Sequence, residues 1–198
     1  MSNKKEVLFL REEYGEGRGK FTYPHGEKYE GDWVKGKYHG QGTMTFPDGS
    51  MYEGKSKEGR QNGQGILTLS RGIKYEGKWK NGKPNGFGFQ TYKNGNKYFG
   101  EHKNGLPNGQ GRSIYPDGSM YLGEYKDGKF HGQGTFIWND GYYHEGEFMD
   151  GTPNGQGTVT LPNGQLVGEY KDGKPWNVKG YDKERNITGK WVNGVKQK

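Results

Sequence analysis

Cysteine is absent from the 198 residues of the chain. Disulfide bonds and thiolate metal sites are therefore excluded. Long apolar runs are also missing, and the short apolar stretch at residues 7–10 has too few residues for a signal peptide or a membrane-spanning helix. We therefore expect a cytoplasmic protein, with peripheral attachment to a membrane left open.

Aliphatic residues are scarce. Hydrophobic residues make up 27% of the chain and aromatic residues 15%, so few aliphatic side chains remain to fill a globular interior. Together with a net charge of +7, this composition is typical of disorder. The aromatic and glycine residues nevertheless recur in register, which a disordered chain has no physical reason to maintain. The composition therefore favours a thin, extended structure.

A period of 23 residues runs through most of the sequence. Each period carries a glycine two residues after its first position and a Gly-x-Gly beginning eleven residues after it, as in Gly31 and Gly40/Gly42. A fixed period of this size is typical of a stacked-repeat protein, in which each unit packs against its neighbours. The first positions of the periods are Tyr29, Tyr52, Tyr75, Tyr98, Tyr121 and His144.

Within one period, residues 29–34 and 40–46 alternate between two sets of side chains, which predicts two β-strands. Residues 35–39 and 47–49 carry turn signals, so each period is predicted to be a β-hairpin and the chain an antiparallel meander. Because Asn and His tolerate left-handed backbone, the residues before each Gly-x-Gly are predicted to be turn residues. These are His39, Asn62, Asn85, Asn108, His131 and Asn154.

The glycines share one face of the predicted strands with the aromatic rings. Glycine ordinarily weakens a strand, but here its missing side chain leaves a slot in which a neighbouring ring can lie. Ring pairs between adjacent strands would then supply most of the packing energy.

These motifs resemble the MORN (membrane occupation and recognition nexus) repeat. Residues 29–49 (YEGDWVKGKYHGQGTMTFPDG) and 75–95 (YEGKWKNGKPNGFGFQTYKNG) carry its pattern of Tyr-x-Gly-x-Trp, Gly-x-Gly and a closing glycine turn. The resemblance implies an all-β fold, an elongated single-layer antiparallel sheet of stacked hairpins that forms a twisted rod or half-pipe. It also implies a scaffold, partner-binding or membrane-associated protein whose repeats are not themselves catalytic.

The repeat boundaries follow from this periodicity. We expect an N-terminal cap at residues 1–13, a repeat array at 14–174 and a C-terminal cap at 175–198. The array is predicted to contain a partial unit at 14–28, six units at 29–51, 52–74, 75–97, 98–120, 121–143 and 144–165, and a degenerate unit at 166–186 that lacks Gly-x-Gly. The sequence departs from the repeat pattern at Ser56, His102, Gln90 and Ser113.

Two surfaces are candidates for binding a protein partner. The first is the aromatic groove that the resemblance implies, with Tyr29, Trp33, Tyr52, Tyr75, Trp79, Tyr98, Tyr121, Tyr125 and Trp138. The second lies on the otherwise polar face, where contiguous apolar side chains would mark a contact site, although such residues also suit strands in general. Its members are Phe87, Phe89, Phe99, Ile114, Leu122 and Ile137.

A column of lysines is predicted along one edge of the sheet. Such a stripe could bind anionic phospholipids, but lysine at exposed edges also deters aggregation, and interleaved aspartates dilute the charge. The column consists of Lys57, Lys80, Lys103, Lys126 and Lys171.

No constellation of catalytic residues is evident in the sequence. The five histidines are scattered, and the glutamates of the polar face form a repeat column whose members are too far apart for acid–base pairing. We expect no enzyme activity, no cofactor and no nucleic-acid binding. The leading hypothesis is a monomeric or small homo-oligomeric scaffold that binds a protein, and the alternative is peripheral membrane association through the lysines.

Overall fold

The computed structural model describes residues 8–9 and 15–198. Within these residues every regular element is a β-strand, which confirms the all-β fold. The predicted cap at 1–13 lies outside the described residues except for the two residues of β1. The strands are β1 Leu8–Phe9, β2 Gly17–Thr22, β3 Lys28–Val34, β4 Lys37–Thr45, β5 Met51–Lys57, β6 Arg60–Thr68, β7 Lys74–Lys80, β8 Lys83–Thr91, β9 Lys97–Lys103, β10 Leu106–Ile114, β11 Met120–Lys126, β12 Lys129–Ile137, β13 Tyr143–Met149, β14 Thr152–Leu161, β15 Gly164–Lys171, β16 Lys174–Asp182, β17 Ile187–Val192 and β18 Val195–Lys196.

The chain divides into two compact units. The N-terminal unit comprises the residues up to Asn94 and His102–Gly105, and the C-terminal unit comprises Gly95–Glu101 and Leu106–Lys198. In the N-terminal unit β1 to β8 pair antiparallel, each with the next. In the C-terminal unit β10 to β18 do the same. This confirms the predicted meander of hairpins, whereas the rod or half-pipe shape stays a prediction.

The turn inside each repeat is shorter than the sequence predicted. Lys35 and Gly36 have φ values of 50° and 70°, and the strand resumes at residue 37. Two consecutive residues with positive φ are typical of the type I′ turn, whose twist matches that of the paired strands. The column that begins at His39 therefore lies within strands, and its prediction as turn residues was wrong. The left-handed residue is the glycine that follows, such as Gly40 with φ 54°.

A β-bulge accompanies the first glycine of each Gly-x-Gly. On β3 and β4, Asp32 pairs with His39 and Gly31 with Gly42, so that Gly40 and Gln41 are left without partners on β3. The carboxylate of Asp32 accepts a hydrogen bond of 2.8 Å from the Gln41 N–H, which satisfies the amide that the bulge frees. Two glutamates accept the equivalent amide in later repeats, in the pairs Glu101–Gln110 and Glu124–Gln133.

From the second repeat onward, the glycine of the two-residue turn donates a backbone hydrogen bond to a strand of the preceding hairpin. The Gly59 N–H donates to the Tyr38 carbonyl at 2.9 Å, and the Gly82 N–H donates to the Gln61 carbonyl at 3.0 Å. In the C-terminal unit the Gly151 N–H donates to the Phe130 carbonyl in the same way. Each turn is therefore linked to the hairpin that precedes it, in addition to the ladder between strands.

The tyrosines that open the repeats form the core of the sheet. Tyr75 is 3% exposed, and its hydroxyl donates a hydrogen bond of 2.9 Å to the Lys78 carbonyl. A Cβ on Gly88 would lie 2.5 Å from that hydroxyl oxygen and 2.6 Å from a ring carbon, so only glycine leaves room for the ring. The predicted nesting of rings over glycines is thereby confirmed.

Further rings bridge neighbouring tyrosines along the same face. Trp79 contacts Tyr52 and Tyr75 edge to face, with ring centroids 5.2 Å apart in both pairs. Its indole N–H donates to the Gly65 carbonyl at 3.1 Å, so the buried polar group has a partner. In the C-terminal unit Tyr125 contacts Tyr98 and Tyr121 in the same edge-to-face manner. The ring contacts thus continue from Tyr98 to Tyr170 in the C-terminal unit, whereas in the N-terminal unit Ser56 stands at the position from which a ring would bridge Tyr29 and Tyr52.

Residues 175–198 continue the sheet as β16, β17 and β18. Val178 stands opposite Gly168, where earlier repeats pair two glycines, and it is 1% exposed. A branched side chain therefore fills the space at the point where the tyrosine series ends. The role of this segment as a cap stays a prediction.

We expect Gly88→Ala to lower the free energy of unfolding by about 1–3 kcal/mol, because the added methyl group overlaps the Tyr75 ring. Urea denaturation followed by tryptophan fluorescence measures this loss. The matched control is the same Gly88→Ala change in a Tyr75→Leu background, where no ring lies over the glycine and the loss should be much smaller. Equal losses in the two backgrounds would contradict the ring-over-glycine packing.

Candidate binding surfaces

The rings of the predicted aromatic groove are mostly buried. Trp138 is the exception, with 39% of its surface exposed. The buried rings lie against the strands and do not project from the face. A partner on this face would therefore contact mainly the side chains beside the rings. Their role in partner binding stays a prediction. The buried members are Tyr29, Trp33, Tyr52, Tyr75, Trp79, Tyr98, Tyr121 and Tyr125.

An open groove of about 540 Å³ lies on the ring-bearing face of the N-terminal unit. Among the predicted residues only Trp79 lines this groove, and sequence reasoning missed the others. They are Phe46, Pro47, Asp48, Ser50, Gln61, Leu67, Leu69 and Gly82.

Gln61 occupies a position that carries an aromatic ring in two other repeats, at Tyr38 and Phe130, and proline in the remaining three. Tyr38 packs on Tyr29 with ring centroids 4.7 Å apart, and Phe130 stacks on Tyr121 at 3.8 Å. Gln61 is the equivalent residue of the second repeat, since it pairs with Ser56 as Tyr38 pairs with Trp33. Neither Ser56 nor Gln61 carries a ring, and the groove lies at this pair of positions. The glutamine at position 61 was the signal for the groove that the sequence offered.

A carboxylate lies at one end of the groove. Both oxygens of Asp48 accept hydrogen bonds from Ser50, one from its N–H and one from its hydroxyl, each at 2.9 Å. These bonds hold the pKa of Asp48 below its usual value. The groove therefore combines apolar walls with a fixed negative charge at its rim, and the exposed carboxylate can still receive a cation.

The apolar residues predicted on the opposite face lie in both units. Phe87 and Phe89 belong to β8 of the N-terminal unit, and Phe87 is 55% exposed. Phe99 and Leu122 are 56% and 58% exposed in the C-terminal unit. Ile114 and Ile137 are half-buried, and strand pairing places them in one row with two residues that sequence reasoning missed. The row runs Ile114, Met120, Ile137, Tyr143.

The five lysines of the predicted edge are exposed. Four of them pair directly with a second basic residue across the two-residue turn. The ammonium of Lys171 lies 4.7 Å from the centre of the Trp176 ring. One lysine of the predicted column is therefore engaged in a cation–π contact. Lipid binding by these residues stays a prediction. The pairs are Lys57–Arg60, Lys80–Lys83, Lys126–Lys129 and Lys171–Lys174.

His144 replaces tyrosine in the sixth repeat. Its ring packs edge to face against Phe148 and Tyr170 and is 1% exposed. Within residues 15–198 that the structure describes, neither ring nitrogen has a hydrogen-bond partner. Burial lowers the pKa of His144 to about 4, so the imidazole is neutral at pH 7.

Metal-binding clusters and membrane-spanning helices are absent from the described part of the chain. Residues 15–198 bring together no group of three or more His, Asp or Glu side chains that could hold a metal ion. Among the residues described, no helix has the length and apolar character needed to cross a bilayer.

The geometry defines the class of protein: an all-β repeat protein in which one tyrosine per hairpin packs over a pair of glycines. The chain belongs to the MORN repeat family, because the sequence pattern of the MORN repeat matches six segments that together cover more than half of it. The matched residues are 29–51, 52–73, 75–97, 98–120, 121–141 and 144–166. No curated protein matches the chain.

Solved structures of low similarity were also found. The TCP domain of SAS-4 (dCPAP) of Drosophila melanogaster, in complex with a proline-rich motif of Ana2 (dSTIL), is 14% identical with a TM-score of 0.49, covering 84% of this chain and 90% of that chain. The TCP10 domain of Danio rerio CPAP, in complex with a STIL peptide, is 14% identical with a TM-score of 0.37, covering 96% and 99%. Virginiamycin B lyase from Staphylococcus aureus has a TM-score of 0.20 at 14% identity, covering 97% and 75%. All three TM-scores are below 0.5, too low to carry function from those proteins to this one.

Replacing His144 with tyrosine should stabilise the protein and reduce its sensitivity to acid. In the first five repeats the tyrosine hydroxyl bonds a carbonyl three residues later, as Tyr121 does with Glu124, and His144→Tyr restores this bond. Burial lowers the pKa of His144 to about 4 in the folded chain, whereas its ordinary value is 6.5. Between pH 6.5 and 4 the unfolded chain therefore binds a proton at this residue and the folded chain does not. Stability due to this residue is therefore lost as the pH falls from 6.5 to 4. Urea unfolding of both proteins at pH 7, 5.5 and 4 measures the difference, and an unchanged gap between them across this range would contradict the assignment.

Proposed function

We propose that this protein is a non-enzymatic scaffold that binds a protein partner through the groove on the ring-bearing face of its N-terminal unit. The observation that carries the proposal is the groove itself, which opens where Gln61 replaces a ring. Its volume of about 540 Å³ falls in the range of sites that accept apolar groups, and Leu67, Leu69 and Phe46 line it.

The chemistry of the groove defines the partner segment. Leu67 and Leu69 stand two residues apart on one face of the chain, so an apolar side chain of the partner can lie between them and Trp79. Asp48 at the rim favours a lysine or arginine beside that apolar residue, because its carboxylate is anionic and exposed. The preferred partner is therefore a peptide segment with a bulky apolar residue next to a basic one.

Gln61→Phe should abolish partner binding without destabilising the protein. The new ring would stack on Tyr52 as Phe130 stacks on Tyr121, and it would fill the groove. We expect the amount of partner recovered by affinity capture to fall at least tenfold, while the urea midpoint stays equal to or above that of the wild type. Quantitative mass spectrometry of parallel captures from one lysate gives the ratio.

The matched control is Gln64→Phe, which adds the same ring to the same strand on the opposite face. The equivalent residue of the next repeat is Phe87, so this position accepts the ring. Gln64→Phe should leave capture unchanged. A partner that is lost equally from both variants, or retained by Gln61→Phe, would show that the groove is not the binding site.

A further inference from the structure

The face of the C-terminal unit opposite the rings carries an ordered array of side chains on β10 to β13. Residues that pair directly across antiparallel strands project to the same face, and so do residues two apart on one strand. Leu122 follows the buried Tyr121, so this array lies on the face away from the rings. Its two fully paired rows, each read from β10 to β13, are Ile114–Met120–Ile137–Tyr143 and Arg112–Leu122–Thr135–Glu145. Beyond them Gln110 pairs with Glu124 and Gln133 with Glu147, but the bulge between β11 and β12 places Glu124 opposite His131 and leaves Gln133 without a partner on β11.

The array is complementary to itself under a two-fold rotation. Consider an axis parallel to the strands, lying above this face between β11 and β12. Rotation by 180° keeps the position along the strand and places β10 of one copy over β13 of the other. Arg112 then faces Glu145 of the second copy, and Ile114 faces its Tyr143. Met120 faces Ile137, and Leu122 faces Thr135.

The residues beside the bulge bring no like charges together under the same operation. Gln110 lies opposite Glu147 of the second copy, and the carboxylate of Glu124 accepts a hydrogen bond from the Gln133 N–H of its own chain. Two sheets related in this way keep their strands aligned, as in face-to-face sheet packing. Both fully paired rows are satisfied by one axis, with Arg112 opposite Glu145, and this is the charge complementarity that an isologous interface requires.

The equivalent array of the N-terminal unit lacks this property. The corresponding rows on β4 to β7 include Thr45–Met51–Thr68–Lys74 and Thr43–Glu53–Ile66–Glu76. The same rotation would place Lys74 over Thr45 and Glu53 over Ile66, which leaves charges facing neutral side chains. Lys74 is instead paired with Glu76 of its own chain at 3.1 Å. The self-complementary pattern thus belongs to the C-terminal array and not to the repeat in general.

We propose that the protein forms a two-fold symmetric dimer in which the β10–β13 faces of two copies pack against each other, with reciprocal Arg112–Glu145 ion pairs around the apolar row. Four strands about 4.8 Å apart and five residues about 3.4 Å apart give a face of roughly 20 by 17 Å. This is small for a specific interface, so the dimer should dissociate at micromolar concentration. The array shares no residue with the groove of the N-terminal unit.

Charge exchange tests the pairing directly. Sedimentation equilibrium of the full chain between 1 and 200 µM measures the dimer dissociation constant. Arg112→Glu and Glu145→Arg should each weaken the dimer at least tenfold, because each places like charges opposite one another twice. An equimolar mixture of the two variants should recover dimers of wild-type affinity. The mixed dimer holds one native ion pair and one pair in which the two charges have exchanged places, so opposite charges meet at both sites.

Two further variants keep the result independent of folding. Leu122→Glu should weaken the dimer at least tenfold, and glutamate stands at the equivalent Glu30, Glu53 and Glu76, so the repeat tolerates it. Arg71→Glu makes the same charge change in the N-terminal unit and should leave the dissociation constant unchanged. A wild-type chain that stays monomeric up to 200 µM, a dimer that Leu122→Glu leaves intact, or a mixture that remains monomeric would each overturn the proposal.

Discussion

The fold depends on the contact between one tyrosine and two glycines in each hairpin. The ring lies flat on the strand, its hydroxyl bonds a backbone carbonyl, and a Cβ on either glycine would overlap its atoms or the neighbouring backbone. Because the hydroxyl must stay un-ionised to donate, burial works in its favour and raises the pKa of Tyr75 to about 12. A chain with few aliphatic residues thereby obtains a hydrophobic core that consists mainly of aromatic rings.

This packing gives the two faces of the sheet different roles. On the ring-bearing face a substitution changes the packing directly, and Gln61 in place of a ring accompanies an apolar groove. On the opposite face positions such as those of Arg112 and Leu122 differ from repeat to repeat while the hairpins stay the same. Partner binding and self-association can therefore be specified on separate faces of one scaffold.

Much of the fold could be predicted from the sequence, because the 23-residue period and the alternation of side chains are local patterns. Features that depend on pairing could not. The bulge at Gly40 depends on the pairing of Asp32 with His39, whereas the sequence pattern predicted a turn there. Predicting the apolar row through Met120 and Tyr143 likewise requires the register of neighbouring strands. Predicting the groove requires knowing that position 61 lies over Tyr52.

The hydrogen bonds that link each turn to the preceding hairpin also bear on how the chain folds. The bond from Gly82 to Gln61 spans 21 residues, as does the bond from Gly151 to Phe130, so stabilising contacts join segments that are near each other along the chain. Folding of such a chain has little loop-closure entropy to overcome, can start at any hairpin and can extend by adding neighbours. A nascent chain leaving the ribosome could accordingly begin to order after its first two or three hairpins have emerged.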